Sequence, residues 1–214
     1  MLRIRGPWFH GARCCFREWG CPPLASSSQS LIPHSFISLS SNPKYAELHK
    51  GLHGRICTAM LLPAAKVLDL RIKSPDSFLL YKKVKSTRLG AKYHGLASYA
   101  KWHEACRAGS ILRFVFRSEK DHPELFVRQE IIRCSANDRE VSEAVLYTHN
   151  FTREWIEAVI GPAKEMGYNA VVCNELEKTL SSIASTQLFV FNPECLSPPN
   201  WVNPLEPGLL AEFQ

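Results

Sequence analysis

The chain has 214 residues, of which 45% are apolar and 21% charged. These values sit near the globular average, far from those of a disordered chain, and the length suits one domain with extensions. No window approaches the roughly 18 consecutive apolar residues of a membrane span, so none is expected.

Three of the eight cysteines (Cys14, Cys15 and Cys21) fall near the start. The other five (Cys57, Cys106, Cys134, Cys173 and Cys195) are odd in number and widely spaced, the pattern of free, mostly buried thiols rather than of a disulfide framework. The net charge of +6 is unevenly spread. Residues 1–43 carry +3, residues 44–121 carry +10 and residues 122–214 carry −7. Such polarity marks either a basic docking surface or two halves that neutralise each other in the fold.

Residues 1–43 contain Arg3, Arg5, Arg13 and Arg17, no lysine, and Glu18 as the one acid, with a serine cluster that includes Ser26, Ser27, Ser28 and Ser30. An Arg-rich, Ser-rich, acid-poor leader is the pattern of a mitochondrial presequence, here expected to be cleaved or disordered and to deliver the chain to the matrix. Cleavage is expected between Trp19 and Asn42.

The domain is expected to occupy residues 44–192. Tyr45, Leu48, Leu52, Ile56 and Met60 recur at helical spacing, which predicts a helix over Tyr45–Met60, weakened by Gly51 and Gly54. Val67–Ile72 reads as a strand, Ser77–Val84 fits either type, and Leu96–Arg107 reads as a helix stopped by Gly109. Ile111–Arg117 and Leu125–Arg133 read as a hairpin turning at Ser118–Glu124, and Val141–Thr148 fits a third strand or a helix, with the strand favoured. A helix starts at Thr152, carries Trp155, Ile156 and Val159 inward, and stops at Gly167. Asn169–Cys173 (strand), Glu175–Ala184 (helix) and Gln187–Phe191 (strand) follow. The predicted fold class is α+β, a single domain with a mixed, largely antiparallel sheet and helices packed on it. Residues 193–214, with five prolines, form a tail that covers the domain or reaches a partner.

Short motifs assign no chemistry. His103-Glu104 opens like a zinc-protease helix, but Arg107 stands where the second histidine belongs. His49 and His53 at i, i+4 make half a metal site. Cys134 and His149 form a nucleophile–base pair only if their segments meet, as a small matrix enzyme would require. No phosphate loop, dinucleotide fingerprint or nucleophile elbow is present, and no metal or cofactor is implied.

The most pointed constellation is basic: Arg71, Lys73, Lys82, Lys83, Lys85, Arg88, Lys92 and Lys101, interleaved with Tyr81, Tyr93, Tyr99 and Trp102. Cations hold phosphates and aromatic faces stack on unpaired bases, so the expected function is non-enzymatic binding of mitochondrial RNA or a ribonucleoprotein. A respiratory-complex assembly factor, docking a protein through the acidic second half or the tail, is the other binding alternative. Residues 1–43 fused to a reporter should carry it to mitochondria, and replacing the four arginines by glutamine should leave it in the cytosol, as microscopy would show.

Overall fold

The computed structural model describes residues 4–20, 35–92, 97–112, 122–176 and 184–202. In chain order the elements are β1 (Trp8–Ala12), β2 (Ile37–Ser40), α1 (Pro43–His49), β3 (Arg55–Ala59), β4 (Val67–Asp69), α2 (Pro75–Ser86), α3 (Arg88–Lys92), α4 (Tyr99–Ala108), α5 (Pro123–Cys134), α6 (Asp138–Glu165), β5 (Ala170–Leu176), β6 (Ala184–Val190) and β7 (Asn200–Trp201). The strands form one sheet in the order β4-β5-β6-β2-β1-β3-β7, antiparallel except for the β4–β5 pair. The α+β architecture expected from the sequence is therefore the observed one.

Its boundaries are not those expected. The segment 1–43 supplies two central strands, and the domain does not begin at residue 44. Trp8 and Phe9 alternate across β1 and are buried on opposite faces, as period-2 apolar residues must be in a strand covered on both sides. Cleavage anywhere from Trp19 to Asn42 would remove β1 and strip β3 of its antiparallel neighbour over Trp8↔Ala59 to Ala12↔Arg55. The start of the proline-rich segment is also part of the fold. Leu196 bridges to Leu61, and β7 pairs with β3. Residues 203–214 lie outside the described residues.

One sheet face carries Leu68, Val171, Cys173, Phe189 and Phe36 against α2, α4 and α6. The other buries Ile37, Leu39, Val172, Leu188 and Val190 beneath Leu61, Cys195 and Leu196, with Trp19 and Ile4 at its margin. There Trp19 Nε1 donates to Ser197 O at 2.9 Å, tying the N-terminal segment to the C-terminal one.

Several predicted strands are helical. Leu125–Arg133 is α5, so the expected hairpin does not exist; residues 113–121, which held most of its first strand, lie outside the described residues. The β-branched run there is overridden by local signals. Pro123 stands in the first turn, His122 Nδ1 caps by accepting from Leu125 N, and Glu124–Arg128 and Glu130–Arg133 pair along the surface. Leu125 is the one α5 residue fully buried. Val141–Thr148 is the first half of α6, which runs unbroken for 28 residues from Asn137, whose side chain accepts from Arg139 N and Glu140 N. Thr152 does not cap a helix; its hydroxyl donates to Thr148 O within α6. Pro162 lies in the last turn, where a missing N–H interrupts little.

The predicted helix over Tyr45–Met60 stops at His49. Gly51, at φ +75°, turns the chain back, and Ile56 and Cys57 then enter the sheet. Ser77–Val84 is helical within α2, opened by a capping box in which Ser74 and Ser77 bond each other's backbone. The helix predicted over Glu175–Ala184 begins instead as β5, which pairs with β6 through Leu176↔Ala184; residues 177–183 lie outside the described residues.

Trp155 is 2% exposed and its Nε1 donates to Ile111 O at 2.7 Å. Val159 and Val171 are fully buried in the same core, while Ile156 is half-buried. Phe114 and Phe116, expected beside them, lie outside the described residues. Trp155→Ala should cost ~3–5 kcal/mol, read as a lowered urea midpoint with little change in slope. Deleting residues 4–12 should abolish the cooperative transition altogether.

Candidate functional site: a cavity where the sheet parts

β1 and β2 share a single register pair, Phe9↔Ser40. On either side of them pairing is extensive, with five registers between β1 and β3 and four between β2 and β6. The sheet is thus two half-sheets touching at one point and diverging beyond it. A cavity of about 480 Å³ lies at this divergence. Its lining comes from β1 (Phe9, His10, Gly11), β2 (Ser38, Ser40), α1 (Tyr45, Leu48, His49), α6 (Arg153, Ile156), β5 (Glu175) and β6 (Gln187, Phe189), with Arg13 and Phe36 beside them.

Diverging strands leave backbone groups without their ladder partners, and these must be satisfied otherwise. His10 does so across the gap: its Nδ1 lies 2.9 Å from Ser38 O. A carbonyl only accepts, so Nδ1 carries the proton, and in the neutral ring Nε2 is an acceptor. Burial lowers the His10 pKa below its ordinary value of 6.5; the Ser38 hydrogen bond opposes this and His49 adds to it. Gly11 permits α1 to lie on β1, since a Cβ there would stand 2.0 Å from Ala46 O. That contact places Tyr45 at the wall, where its hydroxyl donates to Glu175 Oε2 at 2.6 Å.

At the cavity floor Ser40 Oγ accepts from Asn42 N (3.0 Å) and Gln187 Nε2 (3.2 Å) and lies 2.9 Å from Ser185 Oγ. With both lone pairs occupied, Ser40 donates its proton to Ser185. Gln187 is fully buried, yet its Oε1 has no hydrogen-bond partner. Turning the amide over would put Nε2 in the same position, so one end is unsatisfied in either orientation. On the α6 side, burial lowers the Arg153 pKa while Glu157 raises it; Glu157 itself accepts from Ser35 N (2.9 Å) and Ser35 Oγ (2.5 Å).

The residues singled out by the sequence are elsewhere. Arg71 Nε and Nη2 grip Asp69 at 2.8 and 2.6 Å, and Nη1 reaches Thr186 Oγ1 at 3.2 Å. Lys83 pairs with Glu165 at 3.5 Å and Arg88 with Glu154 at 2.9 Å, joining the basic and acidic parts of the sequence. Lys82 lies 4.6 Å from the Phe78 ring centroid and Lys85 5.9 Å from that of Tyr81. Lys73 and Lys101 are exposed, and Lys92 ends α3, with its side chain outside the described residues. Of the interleaved aromatics, Tyr81 and Trp102 are core and Tyr99 is half-buried, while Tyr93 is outside the described residues.

Cys134 and His149 are not brought together. Cys134 ends α5 at the tip of the α5–α6 hairpin, whereas His149 lies three turns into α6, roughly 16 Å along its axis. His103 is buried, its Nε2 donating to Arg71 O at 3.0 Å. His49 and His53 do not share a helix face, because α1 ends between them. Among the described residues no three His, Cys, Asp or Glu side chains gather as metal ligands.

Gln187 sits in the strand Thr186-Gln187-Leu188-Phe189-Val190, where a polar residue leading into an apolar run was the available signal; Ser40 beside Leu39 in β2 is a similar one. No protein-family model matches the chain, and no curated protein or solved structure matches it either.

The histidine shift has a definite sign. His10 is harder to protonate folded than unfolded, so the unfolded state binds the proton first. Its contribution to stability is complete above pH ~6.5 and is lost as pH falls through that value toward the lower folded pKa, by at most about 1.4 kcal/mol per pH unit. His103, also lowered by burial, acts in the same direction. Urea titrations from pH 7.5 to about 5 should therefore show falling stability, with a shallower fall in His10→Gln and again in His103→Gln.

Proposed function

We propose that the chain binds a nucleotide or a similar phosphate-bearing metabolite in the cavity between the half-sheets. The observation that carries this reading is Gln187. A buried amide end left without a partner costs ~1–3 kcal/mol; Oε1 is itself covered, so a small turn of the side chain toward the cavity lets a ligand group complete it and recover that cost. The rest of the lining fits one chemistry. Arg13 and Arg153 bring guanidinium groups to the cavity wall for a phosphate, with Glu175 there and Glu157 beside Arg153 as the carboxylates. Leu48 and Ile156 add apolar surface at the wall, and His10 Nε2 offers a hydrogen bond to a base edge or a sugar hydroxyl. The volume lies within the range of small-ligand pockets.

The RNA reading rests on the basic stretch, and the geometry supports it less. Arg71, Lys83 and Arg88 are engaged by acids, and the aromatics meant to stack on bases are largely internal. A mitochondrial destination rests on the arginine- and serine-rich leader. Because Trp8, Phe9, Ile37 and Leu39 are core residues, an imported chain would have to keep that leader in order to fold.

Thermal shift with a nucleoside, its mono- and diphosphate and a dinucleotide tests the reading. The phosphate-bearing members should raise Tm, with about 2.7 kcal/mol of stabilisation at a concentration 100 times Kd, and the bare nucleoside should act far more weakly. Arg153→Met should lose the phosphate dependence. Gln187→Met should lose the response while leaving the free protein within about 1 kcal/mol of the parent, because removing an unsatisfied amide offsets the lost bond to Ser40. A flat response to every nucleotide at millimolar concentration would sink the proposal.

A further inference from the structure

We propose that the exposed face of α2 docks the protein on an anionic membrane surface. This surface is separate from the cavity, and the inference does not depend on the nucleotide reading.

α2 buries Ser77, Leu80, Tyr81 and Val84 against the core. Its outward face is not the polar face expected of a surface helix. Phe78 is 40% exposed and Leu79 45%, and Ile72, in the turn that leads into the helix, is 59% exposed. These are three of the nine large apolar side chains exposed among the described residues, gathered within eight positions of the chain. Phe78, Lys82 and Lys85 follow one another at i, i+4 and i+7 and therefore share a face, with Leu79 beside them. Lys73 follows Ile72 and is exposed.

The lysines are arranged around the apolar residues rather than apart from them. Lys82 Nζ lies over the Phe78 ring and Lys85 Nζ near that of Tyr81, so the cations sit directly against the apolar side chains, within reach of the headgroups above a surface that Phe78 and Leu79 enter. No ion pair engages Lys73, Lys82 or Lys85 among the described residues; Lys83, on the flank, pairs with Glu165. Of the nearby acids, Asp76 accepts from the Tyr168 hydroxyl and Glu104 lies on α4.

An amphipathic patch with an apolar centre and a cationic rim complements the headgroup layer of an anionic membrane. Single-stranded RNA fits it less well. Ile72 and Leu79 have no π face for a base, and Phe78 is the one ring on this face that is substantially exposed, since Tyr99 is half-buried and packs edge-on against it.

The test is flotation of the full chain with vesicles of phosphatidylcholine alone and of phosphatidylcholine with phosphatidylserine. Binding is expected to the second and not the first, and to weaken with salt. Lys73→Glu/Lys82→Glu/Lys85→Glu and Phe78→Ser/Leu79→Ser should each reduce binding at least about tenfold. All five side chains are exposed, so both variants should keep the parent's melting temperature. No binding to phosphatidylserine vesicles, or parental binding by the folded Phe78→Ser/Leu79→Ser variant, overturns the proposal. So does salt-sensitive binding of single-stranded RNA that competes with the vesicles, requires the three lysines and is indifferent to Phe78 and Leu79; that result would assign the face to nucleic acid.

Discussion

The divergence of β1 from β2 after a single shared register pair is the constraint around which the rest of the molecule is arranged. A continuous sheet would saturate its own backbone and leave no opening. Here the ladder is interrupted, and each consequence has a side chain to meet it. His10 reaches across to Ser38 O, Gly11 admits α1 to backbone contact, and Tyr45 on α1 anchors to Glu175 of the far half-sheet. The hydroxyls of Ser40 and Ser185 and the Gln187 amide form a chain of hydrogen bonds at the floor. The one group of this chain of bonds left without a partner is an end of that amide, buried behind the cavity floor. Cooperative polar networks gain most when complete, so this end carries the cost of the interruption.

The helical layer holds the β4-β5-β6-β2 half in place. α6 crosses it with Phe151, Trp155, Val159 and Ala163 inward at helical spacing, and the Trp155 indole bonds to Ile111 O, so one side chain joins α6 to the segment after α4. The same helix contributes Arg153 and Ile156 to the cavity, on either side of the buried tryptophan in sequence. Its register is therefore fixed by core packing of several kcal/mol, and the cavity wall inherits that rigidity. The ion pairs Lys83–Glu165 and Arg88–Glu154 cross between α2–α3 and α6. They are exposed, so each adds ~0–1 kcal/mol. They show that part of the charge asymmetry along the sequence is matched in space.

Legibility followed the locality of the signal. Elements set by nearby residues were readable: α4 with its Gly109 cap, β4, the cores of β5 and β6, and the end of α6 at Gly167. The errors arose where two codes overlap. LFVRQEIIR has strand-forming composition, but Pro123 and the Glu–Arg spacings select a helix, and Val141–Thr148, which by itself fits either type, is the start of α6. In the leader, arginines interspersed with Trp8 and Phe9 satisfy a targeting pattern and also the period-2 pattern of a buried strand. A single sequence does not arbitrate between them; long-range pairing with β3 does. The cavity was the least legible feature of all. Its members span residues 9 to 189 and come together through strand order, which no local window contains.

In the structure the N-terminal segment is accounted for by its place in the sheet. Arg13, just past the end of β1, is part of the cavity wall. The buried side chains Trp8 and Phe9 serve the sheet, while Arg5 and Arg17 lie outside the strand. The antiparallel pairing of β1 with β3 makes this segment part of the fold, because an unpaired β3 between β7 and solvent would leave Ile56, Cys57 and Ala59 without the strand that covers their backbone.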